Sequence, residues 1–389
     1  MTGTAARRAR TARRGAAAPV LVGAVCGLAW AAALRGLMAQ FAGRESVVDW
    51  LGTFEGILLP GALVGGLLGW AEHLRRTGGR PGWLVAAPLV FVLATPEVVV
   101  SVFVDGLGGG ALAVPLFGMA GGWALSGRGP RWARWVAGAF ALLAVPGWLI
   151  TASFVGGDLA LGTPRGAWIA VLFLSLLAVL SLACAVPLRS GAARPRPEWR
   201  LVVAGAVCGI AWGAGLRAFM AAAAGPDTTV SWIGTFGVIL PASAVVGALL
   251  GRAAHRWRTS VPPGRRLVLA PLVFAIDPFA LAVVLPAMAG GYALSGRASR
   301  RARWAGGACA LVPVPLYLLL VTFLDDVHTL ATPRGAWQAV LLFSLLAVLT
   351  LACVIPHRAL MPAVDATGVD SAAGPSGDAG TPRARTGNG

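Results

Sequence analysis

From Val20 to Arg358 the chain alternates long apolar runs with short clusters of arginine. An α-helix crosses a hydrocarbon core of about 30 Å with roughly 20 apolar residues, and most of the runs allow that length. The pattern predicts a first helix from about Val20 to Ala42 and a second from about Trp50 to Ala71, with Glu45 and Asp49 in the loop between them. Residues 81 to 127 run 47 positions without an arginine, room for two spans turning at Gly106 to Gly110. A fifth helix follows from about Trp132 to Val155. The sixth opens with Thr163 as a cap and Pro164 in the first turn.

That sixth run recurs. Thr163 to Arg189, TPRGAWIAVLFLSLLAVLSLACAVPLR, returns 169 residues later as TPRGAWQAVLLFSLLAVLTLACVIPHR, Thr332 to Arg358, with 20 of 27 positions identical. Gly23 to Trp30 returns as Gly205 to Trp212, and Trp50 to Phe54 as Trp232 to Phe236, both 182 residues on. The shift falls by 13 between these points, so a second unit is shorter inside. Only 29 residues, Leu267 to Ser295, lie between two arginine clusters there, too few for two full spans. A single span would reverse the last helix relative to its copy. A re-entrant hairpin, or two short helices turning at Asp277-Pro278, keeps the arginines on one side and requires protein or a cavity to shield the backbone.

The predicted fold is therefore all-α: a polytopic integral membrane protein of two tandem parallel repeats, each of about six transmembrane segments, with a shortened or re-entrant hairpin at 267-295. Arginine clusters face the cytosol by the positive-inside rule, and six crossings return the chain to its starting side. The boundaries are a disordered basic tail over 1-17, repeat 1 over 18-189, a cytoplasmic linker over 190-200, repeat 2 over 201-358, and a disordered tail over 359-389. A signal peptide competes for the first run, as does a lipoprotein reading of Cys26. The internal copy at Gly205 to Trp212, where no cleavage is possible, argues for a retained helix.

Composition narrows the class. With 57% hydrophobic and 12% charged residues and a mean hydropathy of +0.76, the chain is far too apolar for an ordinary soluble domain. The net charge of +17 lies in clusters between apolar runs, which fits membrane topology and anionic lipid, and not nucleic acid. The absence of lysine and the single Asn388 match a GC-rich bacterial genome, so the expected location is a bacterial cytoplasmic membrane, with both termini cytoplasmic. Cys26, Cys184, Cys208, Cys309 and Cys353 all lie in apolar runs without metal-ligand spacing and read as packing residues.

Charges inside the apolar runs are the candidate chemistry, because each costs about 2.5 to 3.5 kcal/mol at a helix centre on insertion scales. At 1.5 Å per residue, Arg35 lies about 10 Å below the outer end of its helix and Glu55 about 7 to 8 Å below the start of the next. Glu97 reaches a similar level, so these three are expected to meet. In the second unit Arg217 keeps the arginine position, Gly237 replaces Glu55, and Asp277 stands beside Pro278. Arg35, Glu55, Glu97, Arg217 and Asp277 form the candidate ligand-binding set, flanking an outward-open polar site for a small anionic or zwitterionic solute. The alternative is that they are structural pairs or snorkelling side chains.

Arg165 and Arg334 read as interfacial anchors beside Trp168 and Trp337, and His73 and His255 as interfacial groups. His328 near Asp325 and Asp326 offers only a weak metal or pH site. No phosphate loop, nucleophile elbow or zinc spacing occurs, so neither cofactor nor metal is expected and an enzyme is disfavoured. The expected function is a secondary-transporter-like permease. The alternatives are a non-transporting membrane subunit or scaffold and, third, a lipid-modifying enzyme. Expected partners are membrane lipid and a small-molecule ligand, with no nucleic acid; the sequence assigns no oligomer or partner subunit.

Overall fold

In the computed structural model, residues 2–43, 46–93, 110–189, 197–225, 228–262, 264–276, 278–324 and 329–357 are described. Among them the regular structure is helical throughout. Among the described residues, eight helices are long and apolar enough to cross a membrane. The main helices are α1 (Thr2–Ala42), α2 (Leu59–Arg76), α3 (Gly110–Ser126), α4 (Arg131–Leu142), α5 (Ala144–Val155) and α6 (Pro164–Cys184). They continue as α7 (Glu198–Ala224), α8 (Leu240–Arg258), α9 (Pro278–Leu294), α10 (Arg300–Leu311), α11 (Pro313–Leu324) and α12 (Pro333–Val354).

One expectation needs correction. Helix α1 begins at Thr2, where the reading placed a disordered tail up to residue 17. Alanine and arginine, which dominate that stretch, are among the strongest helix formers, and a helix already running below them needs no new nucleus. Between 81 and 127, two full spans were expected. The described helical stretches there are Gly82–Leu93 and α3, and residues 94–109 between them lie outside the described residues. Pro88 lies inside the first and holds Gly82–Leu89 as a 3-10 turn, because proline cannot donate the α-helical hydrogen bond. The matching part of the later sequence has the same build, a 3-10 stretch at Ala270–Ile276 followed by α9.

Both α2 and α8 are entered through a π-helical turn, Leu51–Leu58 and Ile233–Ile239. Pro60 and Pro241 follow at the start of the α-helical part. Each lacks the N–H for the preceding turn and crowds the carbonyl four residues back, and the wider turn relieves that clash. Leu59 N–H thus reaches Phe54 O, and Leu240 N–H reaches Thr235 O. Thr163 and Thr332 cap α6 and α12 as expected, accepting from Gly166 N at 3.0 Å and Gly335 N at 3.1 Å, contacts worth about 1 kcal/mol each.

Glycine sets the helix pairs. A β-carbon on Gly23 would strike the Gly65 carbonyl, and one on Gly27 the Gly61 carbonyl, so α1 and α2 lie backbone to backbone and antiparallel. Gly205 against Gly247 and Gly209 against Ser243 do the same for α7 and α8. At the centre, Ala33 meets Gly215 and Gly36 meets Ala218, a constant offset that makes α1 and α7 run in the same direction. Around that crossing the core gathers Trp168, Leu172, Trp337 and Leu341, all essentially inaccessible. The periphery is the reverse. Helix α4 buries no residue, Trp135 is 79% exposed and Phe154 on α5 is 86% exposed. Large apolar side chains bare on an outer rim are what a lipid surround accepts and water does not.

Candidate functional site

The two arginines singled out by sequence are buried: Arg35 is 5% exposed and Arg217 6%. Each lies over a tryptophan from the other half of the chain. The Arg35 Cζ is 5.8 Å from the Trp337 ring centroid, and the Arg217 Cζ is 5.3 Å from that of Trp168. Both are within cation–π range, where a desolvated pair is worth about 2 kcal/mol. The tryptophans are fixed in turn. Trp168 Nε1 donates to Ala214 O at 3.3 Å, and Trp337 Nε1 donates to Ala32 O at 3.1 Å.

Arg35 spends its guanidinium N–H groups on the chain entering its π turn, and Arg217 makes one such bond. Arg35 donates to Val47 O at 2.7 Å, to Thr53 Oγ1 at 3.3 Å and to Ser46 Oγ at 3.4 Å. Arg217 donates to Thr229 O at 2.9 Å. Asp49, in the same loop as Val47, adds an attractive charge to Arg35.

The expected meeting with Glu55 is not found. Glu55 is exposed, two residues and about half a turn beyond the buried Thr53, so one face of the turn goes to the arginine and the other away from it. Glu97 and Asp277 lie outside the described residues, as do Asp325, Asp326 and His328. Ion pairs among the described residues lie elsewhere. Glu72 holds Arg75 and Arg76, both at 2.7 Å, and Glu198 holds Arg252 at 2.8 Å. Arg165 and Arg334 cross to carbonyls near the ends of neighbouring helices, Gln40 O at 3.3 Å and Ala222 O at 3.4 Å. There they offset the partial negative charge of a helix C-terminus. Gln338, almost wholly inaccessible, adds a 2.8 Å bond to the same Ala222 carbonyl.

Sequence reasoning missed two grooves. The first, of about 550 Å³, is floored by the glycines of the α1–α2 contact and walled by residues such as Val22, Cys26, Phe91 and Ala183. Trp30 closes its deep end, with its ring 5.7 Å from Phe91 and its Nε1 donating to Leu176 O at 2.8 Å. Glu72 and Arg76 stand at the mouth. The second, of about 290 Å³, lies between α7, α8 and α12, where the Trp212 ring lies tilted against Phe274 at 5.5 Å and donates to Leu345 O at 2.9 Å. Its lining includes Cys208 and no charged side chain. The four-residue spacing of Gly23 and Gly27, and of Gly61, Gly65 and Gly69, was the available signal that a bare channel runs beside the contact.

Among the described residues no group of three or more histidine, cysteine or acidic side chains is placed to hold a metal ion. Compared with protein-family models, with curated proteins and with solved structures, the chain matches none.

Proposed function

We propose that this chain is a membrane-embedded binding scaffold of two parallel units, with its arginine-rich helix ends in the cytosol, and not a permease. The observation that carries this reading is the centre of the bundle. A conduit needs a polar cavity near the middle, between the units. Here α1 and α7 touch through Ala33, Gly36, Gly215 and Ala218, and Trp168 and Trp337 seal the flanks. Two further features support parallel units: the Arg–Trp contact occurs once in each direction between the halves, as a self-complementary twofold interface does, and α1 runs parallel to α7. The arginines then act as clamps on the loops before the π turns. At Arg35 an anionic or zwitterionic ligand would have to displace the Val47 carbonyl and the Thr53 and Ser46 hydroxyls.

The test is cysteine accessibility. In a cysteine-free background, Ala33→Cys, Ala214→Cys and Ala218→Cys are treated with a membrane-impermeant maleimide in intact cells and in inverted vesicles. Val47→Cys and Thr77→Cys report the two faces. The scaffold reading expects no reaction at the three central positions from either side. Labelling there from one or both sides would replace it with a permease.

A further inference from the structure

The first groove has a length, a lining and a mouth that together specify a ligand. It follows α1 from Gly15 to Trp30, about 22 Å at 1.5 Å per residue. That exceeds the depth of one leaflet, half of a hydrocarbon core of about 30 Å. Its volume of about 550 Å³ lies within the range of small-molecule sites. Water gains little in a channel lined this way, because it needs two to four polar partners. At the mouth, Glu72 is shared between Arg75 and Arg76, leaving net positive charge. Among the described residues Arg76 bonds Glu72 through Nε alone, and its side chain is 60% exposed, so its terminal nitrogens face outward for a second oxyanion.

We propose that the groove between α1, α2 and α6 binds one acyl chain of an anionic phospholipid of the cytosolic leaflet, with the phosphate held at Arg76. The apolar channel takes the tail, Trp30 and Phe91 stop it, and the basic mouth selects the headgroup, since arginines at such a surface attract anionic lipid. The second groove supplies the contrast. It has about half the volume, Ala254 occupies the position matching Glu72, and no charge lines it, so it makes no headgroup selection. The inference rests on the membrane orientation proposed above and is independent of the scaffold role.

Full-length protein, stripped of lipid in mild detergent and offered phosphatidylglycerol and phosphatidylcholine in equal amounts, is examined by native mass spectrometry. One phosphatidylglycerol should be retained per chain with a preference of about fivefold, the equivalent of about 1 kcal/mol. Val22→Trp and Ala183→Trp, which fill the channel from opposite walls, should each lose it, while Leu21→Trp, at a 65% exposed neighbour, should keep it. Arg76→Gln should keep a lipid and lose the headgroup preference. Equal retention in Leu21→Trp and both filling variants overturns the proposal, as does an unchanged preference in Arg76→Gln. Should a filling variant not fold, Arg76→Gln, at an exposed side chain, still decides the headgroup claim. Labelling of Thr77→Cys from outside the cell would refute the orientation while leaving lipid retention intact, so the two failures are distinguishable.

Discussion

Removing the indole N–H and part of the ring face at Trp168, as Trp168→Phe, tests whether the two halves are held by the arginine–tryptophan contacts. Three losses are expected. The hydrogen bond to Ala214 O is worth about 1 kcal/mol net. The weaker ring under the Arg217 guanidinium loses about 1 kcal/mol. The space left in a fully buried site adds a cavity cost of about 1 kcal/mol. The total is about 3 kcal/mol, but the decisive quantity is the coupling. A cycle of Trp168→Phe with Arg217→Met, measured by unfolding in mixed detergent micelles, should give an interaction energy of about 1 to 2 kcal/mol. Trp135→Phe with Arg217→Met is the control, since Trp135 is a 79% exposed rim residue, and it should be additive within about 0.5 kcal/mol. If the Trp168 cycle is as additive as the control, the cation–π clamp contributes nothing and the case for arginines as structural locks fails.

Arg35→Met should destabilise more than Arg217→Met in the same unfolding assay, by about 1 kcal/mol or more, because it strands the bonds to Thr53 and Ser46 as well as a carbonyl. Gly65→Val should separate α1 from α2, since its β-carbon meets the Gly23 carbonyl. The expected cost is about 3 kcal/mol or loss of folded protein in detergent, whereas Gly147→Ala, facing open space, should be neutral or stabilising by up to about 1 kcal/mol. Thr163→Ala should cost about 1 kcal/mol through loss of the cap on α6, read as a small fall in melting temperature with the helical circular dichroism preserved.

Helix positions were legible because periodicity and length are local properties. The Thr-Pro start of α6 and α12 and the depth of Arg35 and Arg217 along their helices follow from what one segment can do alone. The pairing of Arg35 with Glu55 failed because depth along a helix says nothing of azimuth. The π turn directs Thr53 inward and Glu55 outward, and a one-dimensional estimate cannot separate them.

By itself, then, the sequence determined a lipid-compatible helical chain, the recurrence of its segments and the few charges that such a chain carries at a cost. These are set by side-chain transfer energies and by local backbone chemistry. Only the tertiary structure decided that each buried arginine sits on a tryptophan of the other half, that Ala and Gly fill the centre, and that bare glycine backbone leaves two grooves beside Trp30 and Trp212. The reason is that contacts between residues some 50 to 300 positions apart depend on how helices are laid against one another, and that arrangement is chosen by the packing of all of them at once.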